Sequence, residues 1–394
     1  MKRLFLDLGV QPLANELKKK FSTNFTKYRL QVFFDTKTKI VFLKNIFSSK
    51  KMFTNKYPYK SSGSTTMIKS FSEISSKIKK RFKFKNILEI GSNDGAFAKN
   101  FDSKNIICIE PCKNLAIVTK KLGYQTYANY FDKFLVSKLK KKKISFDIIY
   151  SANTLTHIPR IKEVIKNCSR LMNDDGILII EDPSLLSCIK NLSYDQFYNE
   201  HIYVLSCMAL KNICKSLSLE IFHVEKIDTH GGTLRYFIKK KKSILNSIKP
   251  SVLRQISLEK KFNLDKFSTY IKFGLKVNKS KNILKDILNK LKKKGKRIIG
   301  YGATAKSTTI IHFCNLQKDI FDYFLDTTKD KINKFIPGTM IRIKKYKKII
   351  YKKDLYVFLG AWNFKNEIFK KEINYLKRGG LFITHVPYPR IINK

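Results

Sequence analysis

No CxxC pair occurs in the 394 residues, and no apolar run approaches the roughly 20 residues that a membrane-spanning helix needs. The first absence excludes the usual zinc-ribbon and dithiol redox motifs; the second leaves no expected membrane span. The start, MKRLFLDLGVQPLAN, is broken by Asp7 and Pro12 before any signal-peptide core develops, so the expected location is the cytoplasm. Seven cysteines stand at 108, 112, 168, 188, 207, 214 and 314, mostly within apolar runs, and are read as reduced, mostly buried thiols. Acidic residues are scarce, 30 against 80 lysines and arginines, which leaves a formal charge of +50. Arginine is the minority cation, however, and bidentate phosphate or base recognition leans on arginine. The runs KLKKKK (138–143), KKKK (239–242) and KKK (292–294) fall at element ends as solvated charge. No specific nucleic-acid partner is expected.

What is present is a folded chain, 43% apolar and long enough for two or three domains. Residues 1 to about 80 read as a small N-terminal unit with apolar alternation over 28–43 and a Ser-rich stretch over 57–78. From 81 to about 240 the pattern alternates strand and helix. Strands are expected at 86–90, 106–110, 146–150 and 176–181. Helices are expected after Gly95, from Lys113 and over 160–172. Strand-like stretches at 219–227 and 233–238 follow a helix over 208–217. Residues 251–294 carry helical periodicity, and a second strand–glycine turn–helix unit opens at RIIGYGATAKSTT (297–309). The class is α/β: a small N-terminal domain (1–80), a central Rossmann-like domain (81–240) and a second Rossmann-like domain (241–394).

The sharpest local signal is ILEIGSNDGAF (87–97) with Glu110 closing the next apolar run. Gly91 and Gly95 let backbone approach a ligand, Ser92, Asn93 and Asp94 surround it, and a carboxylate at the following strand end accepts both hydroxyls of a ribose. The turn is not GxGxxG and aims no helix N-terminus at a pyrophosphate. This favours S-adenosylmethionine, which has no phosphate, over NAD. Asn153, beyond the strand FDIIYSA, stands at the same carboxyl edge and is assigned to the methionine end or the substrate; His157 is assigned a loop role.

In FYNEHIYVLS (197–206), His201 is the natural general base, because imidazole titrates in the working range. Glu200 would orient the ring or bind substrate hydroxyls, and Tyr198 would donate to a developing enolate. His230 in HGGTLR is the second candidate base, and with Gly231 is assigned to substrate contact. The turn GYGATAKSTT forms an anion site to which Lys306 adds charge. A nucleotide diphosphate is one occupant and NAD the other, with Asp326 as the latter's ribose carboxylate.

These segments, with LDLGVQPLAN (6–15), YPYKSSGS (57–64), SANTLTHI (151–158), PGTMI (337–341), AWNFKNEI (361–368) and GGLFI (379–383), resemble, in order and over nearly the whole chain, the sugar C-methyltransferases. That resemblance implies methylation, at C3, of a nucleotide-linked 4-keto-6-deoxy sugar by S-adenosylmethionine. It further implies that Tyr198, Glu200 and His201 form the catalytic motif, that Tyr57 or Tyr59 matches an N-terminal tyrosine, and that the C-terminal domain helps hold the nucleotide sugar. Tyr59 is taken as catalytic and Tyr57 as a substrate contact. One departure stands out: the family's N-terminal zinc, held by two cysteine pairs, has no counterpart, since residues 1–45 contain neither cysteine nor histidine. No metal is expected. The competing readings are methylation of another small molecule or of nucleic acid, and a binding protein with a decayed site; retention of both GSNDG and YNEH argues against decay.

Overall fold

The computed structural model describes residues 1–22, 24–55, 57–316 and 319–393. Strands run along the chain as β1 (Lys2–Pro12), β2 (Lys27–Asp35), β3 (Val41–Leu43), β4 (Ile87–Ile90), β5 (Ile106–Ile109), β6 (Gln125–Tyr127), β7 (Phe146–Ala152), β8 (Met172–Pro183), β9 (Tyr203–Val204), β10 (Leu219–Ile227), β11 (Thr233–Lys240), β12 (Arg297–Tyr301), β13 (Phe324–Asp326), β14 (Ile343–Lys345), β15 (Leu355–Leu359), β16 (Leu381–Thr384) and β17 (Arg390–Ile392). They make three sheets, ordered β1-β2-β3-β9, β10-β11-β8-β7-β4-β5-β6 and β14-β13-β12-β15-β16-β17.

The central sheet is parallel from β6 to β8 and is closed by the antiparallel β11. Its parallel strands are near-continuous apolar runs, as strands covered on both faces must be. The order reverses at β4: β5 and β6 lie on one side, β7 and β8 on the other. The turns after β4 and β7, carrying Gly91 and Asn153, therefore open side by side at the carboxyl edge, where open α/β sheets bind ligands. The C-terminal sheet is parallel except for β17, and its first turn leads into the helix Ala305–Phe313, capped by Thr304 Oγ1 accepting from the Ser307 N–H.

Several elements differ from expectation. Only a short 3-10 turn, Ala98–Asn100, follows Gly95, because the Asn100 side-chain amide occupies the Ala96 and Phe97 carbonyls that a helix would need. The Ser-rich stretch contains the helix Thr65–Arg81, capped by Ser64. It buries Met67, Phe71, Ile74 and Ile78 at helical spacing among Ile87, Phe97 and Tyr150 of the central domain. A boundary at residue 80 would cut through this packing. At the other end, helix Pro250–Lys261 lays Val252 on the central cluster, so the central packing runs past 240.

The N-terminal sheet is not self-contained. Its fourth strand is β9, which begins two residues after His201, and the Leu43 N–H donates to the Ile202 carbonyl. β1 packs against the 27-residue helix Phe267–Lys293, where Gly274 comes so close that a Cβ there would lie 2.5 Å from the Phe5 carbonyl oxygen. Apolar contact thus ties this sheet to both other domains.

Candidate active site

A cavity of about 350 Å3 lies where the three domains meet. Its cofactor end is built by the β4 turn. Gly91 has φ +76°, and a Cβ there would stand 2.2 Å from Thr154 Oγ1, so only glycine lets the β4 and β7 loops approach this closely. Glu110 is buried. One of its carboxylate oxygens accepts from the Cys112 N–H and the other from the Asn93 N–H, each at 2.8 Å. Burial raises its carboxyl, and those two N–H groups oppose the rise. A carboxylate has about four acceptor positions, so two remain, the number a ribose diol requires. The Ser92 hydroxyl and Asn153 Oδ1 line the same space, buried and, among the described residues, without hydrogen-bond partners, as groups awaiting a polar ligand do. Tyr130, Phe131 and Asp132 flank the far side. These residues fit S-adenosylmethionine.

The turn's other side chains face the opposite way. Asn93 Oδ1 accepts from the Ser61 N–H, and its amide donates to the Tyr59 carbonyl. Asp94 accepts from the Ser62 N–H and hydroxyl. Asp94 and Gly95 do not line the cavity. The Asn93 and Asp94 side chains fasten the 57–64 segment over the turn, and Gly95, at φ +80°, packs against Thr119.

The reacting end is built by residues 196–201. His201 is buried between two partners: Nδ1 lies 2.7 Å from the Gln196 carbonyl and Nε2 2.7 Å from the Tyr198 hydroxyl. A carbonyl only accepts, so Nδ1 carries the proton and the basic Nε2 accepts from Tyr198. Burial, then His157 and Lys306, push the imidazole well below its ordinary range. Glu200 does not orient this ring. Its oxygens accept from Asn15 at 2.6 Å and from the Tyr57 hydroxyl at 2.9 Å. Burial raises its carboxyl against those hydrogen bonds. Tyr57, rather than Tyr59, is therefore the tyrosine joined to this cluster; Tyr59 stands at the rim, 36% exposed, its carbonyl held by Asn93.

His157, assigned to a loop, is buried in the cavity wall, stacked on Phe53 with ring centroids 5.7 Å apart and 5.0 Å from the His201 ring. Burial lowers it to about 4. His230 lines the cavity in a left-handed conformation, lowered to about 3 by burial and then by Lys306. Gly231 does not line it: a Cβ there would meet the Trp362 ring at 2.2 Å, so this glycine serves domain packing. Lys306 lines the cavity, buried, its ammonium over the Trp362 ring. Asp326 is engaged by the Ala303 and Thr328 N–H groups and by Lys331, so the carboxylate that NAD would need is already paired.

Sequence reasoning missed Asn15, Gln196, Asp195, Trp362 and His385. Asn15 and Trp362 lie inside motifs already quoted. Gln196 acts through its backbone, and the Asp195–His385 contact spans domains, so neither left a local signal.

A methyltransferase-domain model matches residues 62–224, and a C-methyltransferase C-terminal domain model matches residues 228–387. The C-methyltransferase NovU of Streptomyces niveus is 27% identical over 309 residues, covering 78% of this chain and 73% of that protein. Among solved structures, an S-adenosylmethionine-dependent methyltransferase from Clostridium acetobutylicum ATCC 824 is 16% identical over 45% of this chain and 93% of its own, with a TM-score of 0.35. Another, from Thermotoga maritima, is 17% identical over 45% and 92%, with a TM-score of 0.34. The two domain models adjoin across the central and C-terminal sheets, and with the likeness to NovU they support an S-adenosylmethionine-dependent C-methyltransferase enzyme.

Proposed function

We propose that this enzyme, acting in the cytoplasm, methylates C3 of a nucleotide-linked 4-keto-6-deoxy sugar through an enolate. The observation that carries the reading is that one cavity joins the Gly91–Glu110 cradle to a buried, neutral imidazole whose basic nitrogen is capped by a phenol. A ketone acidifies the adjacent C–H, so a single base suffices. Tyr198 takes that proton on its oxygen while passing its own to His201 Nε2, and the Gln196 carbonyl holds the resulting imidazolium through Nδ1–H. When bound, S-adenosylmethionine supplies the electrophilic methyl group for the carbon so exposed. Glu200, fixed by Asn15 and Tyr57, is placed to accept from a sugar hydroxyl. The first turn of the helix Ala305–Phe313 offers backbone N–H groups to the nucleotide diphosphate.

The test is incubation with S-adenosylmethionine and a panel of nucleotide 4-keto sugars, followed by mass spectrometry. A gain of one methyl group, with loss of the label from C3-deuterated substrate, is expected. Methylation on oxygen with the C3 label retained would remove the enolate.

A further inference from the structure

We propose that Lys306 is a catalytic residue of the transfer: its ammonium receives the negative charge that builds on the ketone oxygen as the adjacent C–H bond breaks. The proposal rests on the enolate reading above and moves Lys306 from the diphosphate end of the substrate to the reacting end.

Lys306 is only 8% exposed, yet among the described residues no hydrogen bond or ion pair engages its ammonium. A buried cation in that condition is costly unless a ligand completes it. The ammonium is not loose. It lies over the Trp362 indole, 5.8 Å from the ring centroid. Trp362 is pinned in turn by its Nε1–H donating to Asp195 Oδ2 at 2.6 Å, and the same oxygen lies 3.1 Å from His385 Nε2. Burial raises the Asp195 carboxyl, but His385 and Lys306 outweigh it and hold the group below its ordinary range, as a carboxylate. The platform is thus an anion buried behind an indole, with the cation on the cavity side.

The charge points at the reacting groups. Lys306 shares the cavity wall with Tyr198, His201 and His230, and its field depresses both imidazoles, which keeps a base neutral and unsaturated. An oxyanion acceptor must share the cavity with the acid–base groups, as Lys306 does. The step balances without a further reactant. The C–H electron pair becomes the enolate π bond, the proton passes to Tyr198 and on to His201, and the ketone oxygen takes the charge. The ammonium donates a hydrogen bond to that oxygen and keeps its own proton. When the new C–C bond forms, the carbonyl returns and the charge disappears.

Lys306→Met is read by three measurements on the full chain: exchange of the substrate C3 proton in deuterated water with S-adenosylhomocysteine bound, binding of thymidine and uridine 5′-diphosphate, and binding of S-adenosylhomocysteine. Exchange and methylation should fall by about 100- to 1000-fold, the loss that follows removal of one oxyanion donor. Both nucleoside diphosphates and S-adenosylhomocysteine should bind as to the parent. Weakened diphosphate binding with parent-rate exchange at saturating substrate overturns the proposal and returns Lys306 to the phosphates. If Lys306→Met does not fold, Lys306→Gln is judged on the same scale. A parent enzyme that exchanges no keto-sugar proton removes the enolate itself, and Lys306's role with it; parent-rate exchange in the variant removes Lys306 alone.

Discussion

Glu110 does two things at once, and a single substitution separates them. In Glu110→Ala the half-buried Asn93 N–H and the buried Cys112 N–H, each 2.8 Å from a carboxylate oxygen, lose their acceptor. An orphaned buried donor costs about 1–3 kcal/mol and a half-buried one less, so the fold itself should lose about 1–4 kcal/mol by urea unfolding without cofactor. Glu110→Gln keeps one acceptor and turns an NH2 toward the other N–H, so it should lose about half of that. The ribose hydroxyls lose both acceptor positions in Glu110→Ala and one of them in Glu110→Gln. Calorimetry should show S-adenosylhomocysteine affinity reduced roughly 5- to 150-fold in Glu110→Ala, equivalent to about 1–3 kcal/mol. The two readouts are independent. A variant that is destabilised yet binds S-adenosylhomocysteine as tightly as the parent would show that Glu110 only braces the turn and that the ribose lies elsewhere.

His201→Asn should retain S-adenosylhomocysteine binding and lose about 100-fold or more of turnover together with C3 proton exchange. Tyr198→Phe should lose exchange to a comparable extent if the phenol that caps Nε2 relays the proton; exchange at the parent rate would mean that Nε2 acts directly. His157 is held neutral in the fold at about 4, below its unfolded value, so unfolding takes up a proton as pH falls through the ordinary histidine range. Relative to His157→Phe, the parent should therefore lose about 2 kcal/mol of stability between about pH 7.5 and about pH 5, measured by paired denaturant melts. Gly91→Ala, which places a Cβ against Thr154 at φ +76°, should lower stability by more than the roughly 1–2 kcal/mol of a left-handed residue and abolish cofactor binding; a melt within error of the parent refutes the packing argument. Treatment with a chelator should leave the melting temperature unchanged, since residues 1–45 supply no cysteine or histidine; elemental analysis finding one zinc per chain would refute this.

The strand–turn–carboxylate pattern at 87–110 was legible because its chemistry is local: an apolar run, a glycine turn and an acid at the next strand end follow one another along the chain. The Tyr198–His201 segment was legible for the same reason, while its hydrogen-bond logic was not. Glu200 sits beside His201 in sequence but turns away, toward Asn15 and Tyr57 on elements the sequence does not place near it. The helix Thr65–Arg81 was obscured by its serines: Ser72 and Ser76 are exposed, while Ser70 and Ser75 lie on the buried face, Ser75 bonding back to the Phe71 carbonyl. Strand β6 is a three-residue edge, too short for its alternation to register.

The shared sheet β1-β2-β3-β9 has a consequence for how the chain is born. Residues 2–12 leave the ribosome long before Tyr203–Val204, the strand that completes their sheet, and longer still before the helices Phe267–Lys293 and Ala305–Phe313 against which β1 packs. A metal clamp would let such a unit fold at once from local contacts; a unit without one must wait for distant partners. Until those partners emerge its apolar strand faces have nothing to pack against, so an early segment settles late.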